Sequence, residues 1–205
     1  MVDGEEGARH WDLAYETGGP TGLSWYEPAP RVSLELIHEM ELGVDARVID
    51  VGGGESTLVD HLLAAGFRDL TVLDVSVVAL TKGRQRVDDA RVNWLLADVT
   101  AWRSKRTYGL WHDRAVFHFL VSSADQSAYL GALRSATAPG SVVIIGTFAP
   151  HGPESCSGLP VARYSADELA LVLGERFEIM RSFEAKHATP AGGVQPFTWV
   201  AGKMT

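Results

Sequence analysis

The residues whose types and spacing could do chemistry begin with VIDVGGGEST, residues 48–57. An apolar run closes on Asp50; Gly52, Gly53 and Gly54 follow, then Glu55 and two hydroxyl residues. Glycine permits a tight turn and lets a ligand lie against bare backbone. A phosphate seated on a helix N-terminus is one such ligand. Two features speak against it. A dinucleotide fingerprint wants glycine at position 57, where Thr57 stands. Asp50 and Glu55 also bracket the loop with negative charge, which suits a cationic ligand better. Asp74 closes LTVLD, residues 70–74. An acid there accepts hydrogen bonds from both hydroxyls of a ribose. Asp98, in Ala97-Asp98-Val99, can accept from an exocyclic amine such as that of adenine. Together these residues describe a ligand with ribose, adenine and a cationic tail, and no phosphate.

These acids must be held by regular elements. Strand-like runs lie at 46–52, 70–75, 91–99, within 108–120, and at 141–149. Helical patterns lie at 31–42, about 56–65, 76–87, 124–137 and 165–174. Ser76 is placed as an N-cap, and Ser165 with Glu168 forms a capping box. Residues 1–30 read as irregular and rich in glycine, proline and aromatics. The last two strands, 177–187 and 195–204, are joined by a loop too short for a crossover helix, which forces an antiparallel pair. Alternation of strand and helix elsewhere implies a mostly parallel sheet with helices on both faces. The expectation is an α/β, Rossmann-like, doubly wound sheet of seven strands with an antiparallel C-terminal hairpin. In such a sheet, ligands bind beyond the carboxyl ends of the strands at the switch point, where Gly52–Gly54 fall.

Composition sets the class. The chain has 205 residues, 46% apolar and 21% charged, which fits a single globular domain over residues 1–205. The N-terminus is acidic and polar, and no apolar run approaches the length of a membrane span, so the expectation is a cytoplasmic protein with no membrane partner. Cys156 is the single cysteine, so no internal disulfide forms. A formal net charge of −8 with scattered basic residues speaks against nucleic acid. His112 and His118 are six apart, unsuited to pairing on one helix face, and no metal is expected. Oligomeric state leaves no trace in the sequence.

The chain resembles the class I S-adenosylmethionine-dependent methyltransferases over about residues 30–205. VIDVGGGES corresponds to their glycine-rich first motif, VLDVS to the acid after the second strand, ADV to the adenine-contacting segment, and WHDRAVFHF to the segment after the fourth strand. The resemblance implies S-adenosylmethionine as methyl donor and S-adenosylhomocysteine as product. It further implies that Asp50 approaches the methionine amine, and that the Gly52, Gly53 and Gly54 loop passes beneath the methionine part. Asp74 would bind ribose, Val75 would lie against adenine, and Asp98 with Val99 would contact the adenine edge. The Asp113 region would close over the methionine end. The family's loop usually ends in glycine where this chain has Ser56; serine is small and can cap the following helix.

The acceptor is less legible. A hydroxyl, thiol or ammonium acceptor must lose a proton to a base or to water. Arg114 and His118 are the foremost catalytic candidates near the strand ends, beside Asp113 and His151; His187 is a weaker one. Trp11, Tyr15, Trp25 and Tyr26 crowd the first thirty residues, which suits an N-terminal lid or strap over cofactor and acceptor, with Trp25 at the cofactor. WDLAY and SWYEP are similar to N-terminal segments of small bacterial methyltransferases of unassigned substrate, and DRAVFHFL more distantly resembles lysine methyltransferases of elongation factors and citrate synthase. The expected function is methyl transfer to a small molecule. The alternatives are a protein lysine acceptor, a non-catalytic cofactor-binding module, or an NAD-dependent oxidoreductase.

Overall fold

The computed structural model describes residues 4–205. The sheet strands are β1 (Val48–Val51), β2 (Leu70–Asp74), β3 (Val92–Leu96), β4 (Leu110–Arg114) and β5 (Val142–Phe148). A two-residue ribbon follows, β6 (Ser155–Cys156) with β7 (Leu159–Pro160), and the long hairpin β8 (Phe177–Ala188) and β9 (Val194–Met204) ends the chain. The seven-stranded sheet has the order β3-β2-β1-β4-β5-β9-β8, with β9 antiparallel to β5. This is the doubly wound, mostly parallel sheet with an antiparallel C-terminal hairpin that the strand order implies. β1, β2, β4 and β5 are almost wholly buried, as strands covered on both faces must be.

Helices α2 (Arg31–Glu39), α3 (Leu58–Ala64) and α4 (Val77–Arg86) pack on one face with Leu36, Leu58 and Leu80 in the core. Helices α5 (Ser123–Ala136) and α6 (Ala166–Leu173) pack on the other, around Tyr129, Trp111 and Leu169. The expected caps are present: the Ser76 hydroxyl accepts from the Ala79 amide, and Ser165 and Glu168 close a reciprocal box. Ser56 Oγ accepts from the Leu58 amide, so the residue standing where the family has glycine does secure the start of α3.

One element departs from expectation. Residues 1–30 read as irregular in the sequence; residues 1–3 lie outside the described residues, and Gly4–Gly22 is helical, broken at Gly19, whose φ of 61° lies in the left-handed region. Its glycines at 4, 7, 18, 19 and 22 disguise it, because such a sequence makes a poor isolated helix. Docking supplies what propensity lacks. On this helix, α1, the Asp12 carboxylate accepts from Ser76 Oγ at 2.6 Å and from the Val78 amide at 3.1 Å. Lys82 Nζ donates to the Tyr15 carbonyl at 2.5 Å. α1 is thereby fixed across the N-terminus of α4, at the carboxyl edge of the sheet. No helix among the described residues is long and apolar enough to cross a membrane.

Candidate active site

β1 and β4 are neighbours whose following helices leave on opposite faces, so the loops after them part at the switch point. Two adjoining cavities open there, sharing Tyr15, Trp25, Gly52 and Arg114 as walls.

The glycine loop forms the floor. Gly52 and Gly54 hold φ of 67° and 41°, which L side chains rarely adopt. A β-carbon on Gly52 would meet Val116 Cγ2 at 2.0 Å; one on Gly54 would meet Tyr15 Oη at 2.7 Å and Asp74 Oδ2 at 2.8 Å. Arg86 reaches back from α4 to donate to the Glu55 and Ser56 carbonyls at 2.8 and 2.7 Å, fixing the loop's exit.

The larger cavity has two ends. At one stand Leu73, Asp74, Val75, Ala97, Asp98 and Val99, from the ends of β2 and β3. Asp74 Oδ1 accepts from the Ser76 amide at 2.8 Å, and Asp98 Oδ1 accepts from the Thr100 amide and hydroxyl at 2.8 and 2.7 Å. Both acids are therefore held in one rotamer. Burial pushes the Asp74 carboxyl up to about 7; backbone hydrogen bonds from Ser76 and Val75 oppose the shift, and the charges of Asp50 and Asp12 add to it. At the other end are Trp11, Trp25, Phe119, Phe148, Phe197, Cys156 and Gln195. Trp11 meets Phe119 and Trp25 edge-on, with ring centroids 4.9 and 5.8 Å away. Burial pushes the Cys156 thiol up.

The smaller cavity is polar. Asp50, Gly53, Glu55, Ser56 and Thr57 line it with Ser33, Glu27, His112 and Arg114. Glu55 Oε2 is buried and has no hydrogen-bond partner among the described residues. A cationic group in this cavity would satisfy that oxygen.

Residues 23–28 form a strap over the crevice, tied from four sides. Thr57 Oγ1 donates to the Glu27 carbonyl at 2.9 Å, and His61 Nε2 lies 3.2 Å from the Pro28 carbonyl. Arg114 donates to the Trp25 carbonyl and lies 3.4 Å from the Glu27 carboxylate. His187, on β8, sets Nδ1 on Glu27 Oε1 at 3.0 Å and Nε2 on the Ser24 carbonyl at 2.6 Å.

The structure thus brings together Asp50, Gly52, Gly53, Gly54, Asp74, Val75, Asp98, Val99, Arg114 and Trp25. Asp113, His118 and His151 do not join them. Alternation along β4 turns His112 towards α2 and its neighbour Asp113 towards α5. The Asp113 carboxylate accepts from Tyr129 Oη at 2.6 Å and from the Val116 and Phe117 amides, so it braces the turn after β4 from behind. His118 is fully buried, with the Phe119 and Phe148 rings 4.5 Å away on the cavity side. Its Nδ1 accepts from the Phe148 amide at 3.4 Å, and burial, followed by the Arg114 charge, pulls its pKa down to about 3. The ring thus stands behind the aromatic wall and does not line either cavity. His151 is exposed beside Glu184. Sequence reasoning missed Phe119, Phe148, Gln195 and Phe197 as walls; their positions just past β4, at the end of β5 and at the start of β9 were the available signal.

A seven-stranded sheet of this order, with the glycine loop after β1 and acids closing β2 and β3, is the fold of the class I S-adenosylmethionine-dependent methyltransferases. Residues 48–140 match the family model described as a methyltransferase domain. Solved structures share the whole architecture. A S-adenosylmethionine-dependent methyltransferase from Anabaena variabilis superposes with a TM-score of 0.78 at 16% identity, covering 100% of this chain and 96% of that one. A protein of echinomycin biosynthesis, described by the conversion of a disulfide bond into a thioacetal group, gives 0.74 at 22% identity, over 96% and 92% of the two chains. The N-methyltransferase NodS from Bradyrhizobium japonicum, in complex with S-adenosylhomocysteine, gives 0.73 at 14% identity, over 94% and 97%. At these identities the likeness is one of fold. No curated protein matches the sequence.

Proposed function

We propose that this chain transfers the methyl group of S-adenosylmethionine to a small apolar molecule held at the aromatic end of the larger cavity. The observation that carries the reading is the continuity of that cavity: it runs from Asp74 and Asp98 to Trp11, Phe119, Phe148 and Phe197, beneath a roof made by α1 and the strap.

The residues present suit the donor. Gly52 and Gly54 leave bare backbone where a side chain would stand. Asp74 takes the ribose hydroxyls, Val75 and Val99 flank the adenine, and Asp98 accepts from its edge. Asp50 and the unpartnered Glu55 oxygen receive the ammonium. When bound, S-adenosylmethionine supplies a methyl group already activated by a sulfonium. The chain contributes position and dryness: Trp11 and Trp25 exclude water, and Phe148 and Phe197 fix the acceptor for in-line approach. Arg114 stands between the two cavities with its charge engaged by Glu27 and the Trp25 carbonyl, so it holds the strap shut over the acceptor.

The NodS structure is of an N-methyltransferase and other similar structures are of the glycopeptide N-methyltransferase MtfA, which agrees with a metabolite acceptor. The test is incubation with labelled S-adenosylmethionine and a cell extract split by size. Label in the small-molecule fraction is the expected result. Label confined to protein would move the acceptor to a side chain, and no label in either fraction would overturn the reading.

A further inference from the structure

His112 was set aside in the sequence as a poor metal ligand, and the methyl transfer just described does not use it. The parallel register of β1 and β4 pairs Asp50 with His112, so the two side chains emerge side by side on the α2 face. His112 Nδ1 lies 2.7 Å from Asp50 Oδ1, and His112 Nε2 lies 2.8 Å from Ser33 Oγ, on the first turn of α2. All three are buried, Ser33 and His112 at 1% and 3% exposure. A carboxylate only accepts, so Nδ1 carries the proton of the first bond and the ring is locked at both ends.

This arrangement divides the labour of one carboxylate. Oδ1 of Asp50 is committed to His112, while Oδ2 lies over Gly53, 2.5 Å from where a β-carbon would be. Gly53 therefore leaves open the approach to the second oxygen, in the same polar cavity as the unpartnered oxygen of Glu55. A buried carboxylate held by one hydrogen bond at a fixed angle presents its other oxygen in a fixed direction. The same three residue types make a hydrolytic triad elsewhere, but here Ser33 is buried on a helix and serves as the prop of the ring.

We propose that His112, braced by Ser33, is a positioning residue that aims Asp50 at the ammonium of the methionine portion, and so sets how strongly the protein prefers ligands carrying that amino acid. The proposal rests on the reading that S-adenosylmethionine binds in this crevice. Its test compares S-adenosylhomocysteine with 5′-methylthioadenosine, which keeps the adenosine and lacks the amino acid. Calorimetry on the native protein should show tighter binding of the first. His112→Phe should lose about tenfold in affinity for S-adenosylhomocysteine, the worth of one oriented charge-assisted hydrogen bond, and keep its affinity for methylthioadenosine. His112→Asn, whose amide can replace the Nδ1 donor, should recover most of the preference. Ser33→Ala, which leaves the Asp50 contact intact, should narrow it severalfold and decides the matter if His112→Phe does not fold. Equal losses for both ligands, or a preference unchanged in His112→Phe and Ser33→Ala, would overturn the proposal. Failure of the native protein to bind either ligand would instead overturn the cofactor reading beneath it.

Discussion

Replacing Asp74 with asparagine should make the protein more stable and less able to bind its cofactor. The Asp74 carboxyl is raised from 3.8 to about 7, mainly by burial, so ionising it in the fold costs about 4 kcal/mol relative to the unfolded chain. The sign follows from proton counting. Between about pH 4 and pH 7 the folded state holds the proton that the unfolded state has released, so this group's contribution to stability falls as pH rises through that window and stays lost above it. Asparagine keeps an oxygen for the Ser76 amide and carries no charge. Asp74→Asn is thus expected to gain about 2–4 kcal/mol at pH 8 and little at pH 4. The ribose loses its bidentate acceptor, about 3 kcal/mol or roughly a hundredfold in affinity for S-adenosylhomocysteine. In the native protein that affinity should fall about tenfold per unit as pH drops below about 7, because the diol binds the ionised form, and the variant should lose this slope. Denaturant melts at two pH values and calorimetry across the window measure all three effects. Native-like affinity in Asp74→Asn would refute the ribose role; a variant less stable than the native protein at pH 8 would refute the penalty on the buried charge.

Gly54→Ala forces a φ of 41° on a residue with a side chain and drives a methyl towards Asp74 Oδ2, so thermal melts should show a loss of about 1–2 kcal/mol and calorimetry no S-adenosylhomocysteine binding. Asp12→Ala frees α1 from α4; limited digestion should cut within residues 4–22 about tenfold faster, with S-adenosylhomocysteine restoring protection. His118→Phe should flatten the loss of stability on acidification below about pH 6.5, since the depressed ring must otherwise take up a proton on unfolding, and should leave methyl transfer in place; abolished transfer would restore the ring to the chemistry. Cys156, buried in the cavity wall with its thiol raised, should react with a disulfide reagent far more slowly in the native protein than in denaturant, and more slowly again with S-adenosylhomocysteine bound.

What the sequence shows of this molecule follows from how local each signal is. Strand runs such as SVVIIGTFA, the Ser76 and Ser165 caps, and the short 188–194 connection act over a few residues, and the mostly parallel sheet with its antiparallel hairpin follows from them. The glycine loop and the acids at 50, 74 and 98 sit at strand ends and are readable for the same reason. α1 was hidden because much of what docks it, the Asp12 and Lys82 hydrogen bonds and the Trp11–Phe119 contact, joins residues more than sixty positions apart. The direction of Asp113 was hidden because one residue's shift along a strand exchanges cavity for core. Phe148 and Phe197 lie almost fifty positions apart in two strand runs, and only the pairing of β5 with β9 brings them opposite each other beside the site.

The two ends of the larger cavity come from different parts of the chain. Its end lined by Asp74 and Asp98, proposed to take the adenosine, lies inside the stretch of 48–140 that matches the family model. Its aromatic end is assembled from Trp11 and Trp25 before that stretch and from Phe148, Cys156, Gln195 and Phe197 after it. On the proposed reading, donor recognition is written in one continuous passage, while acceptor recognition is composed from segments on either side of it, clasped where His187 meets Glu27. The two could then diverge separately: exchange of the flanks alone should give a protein that keeps its methyl source and changes what it modifies.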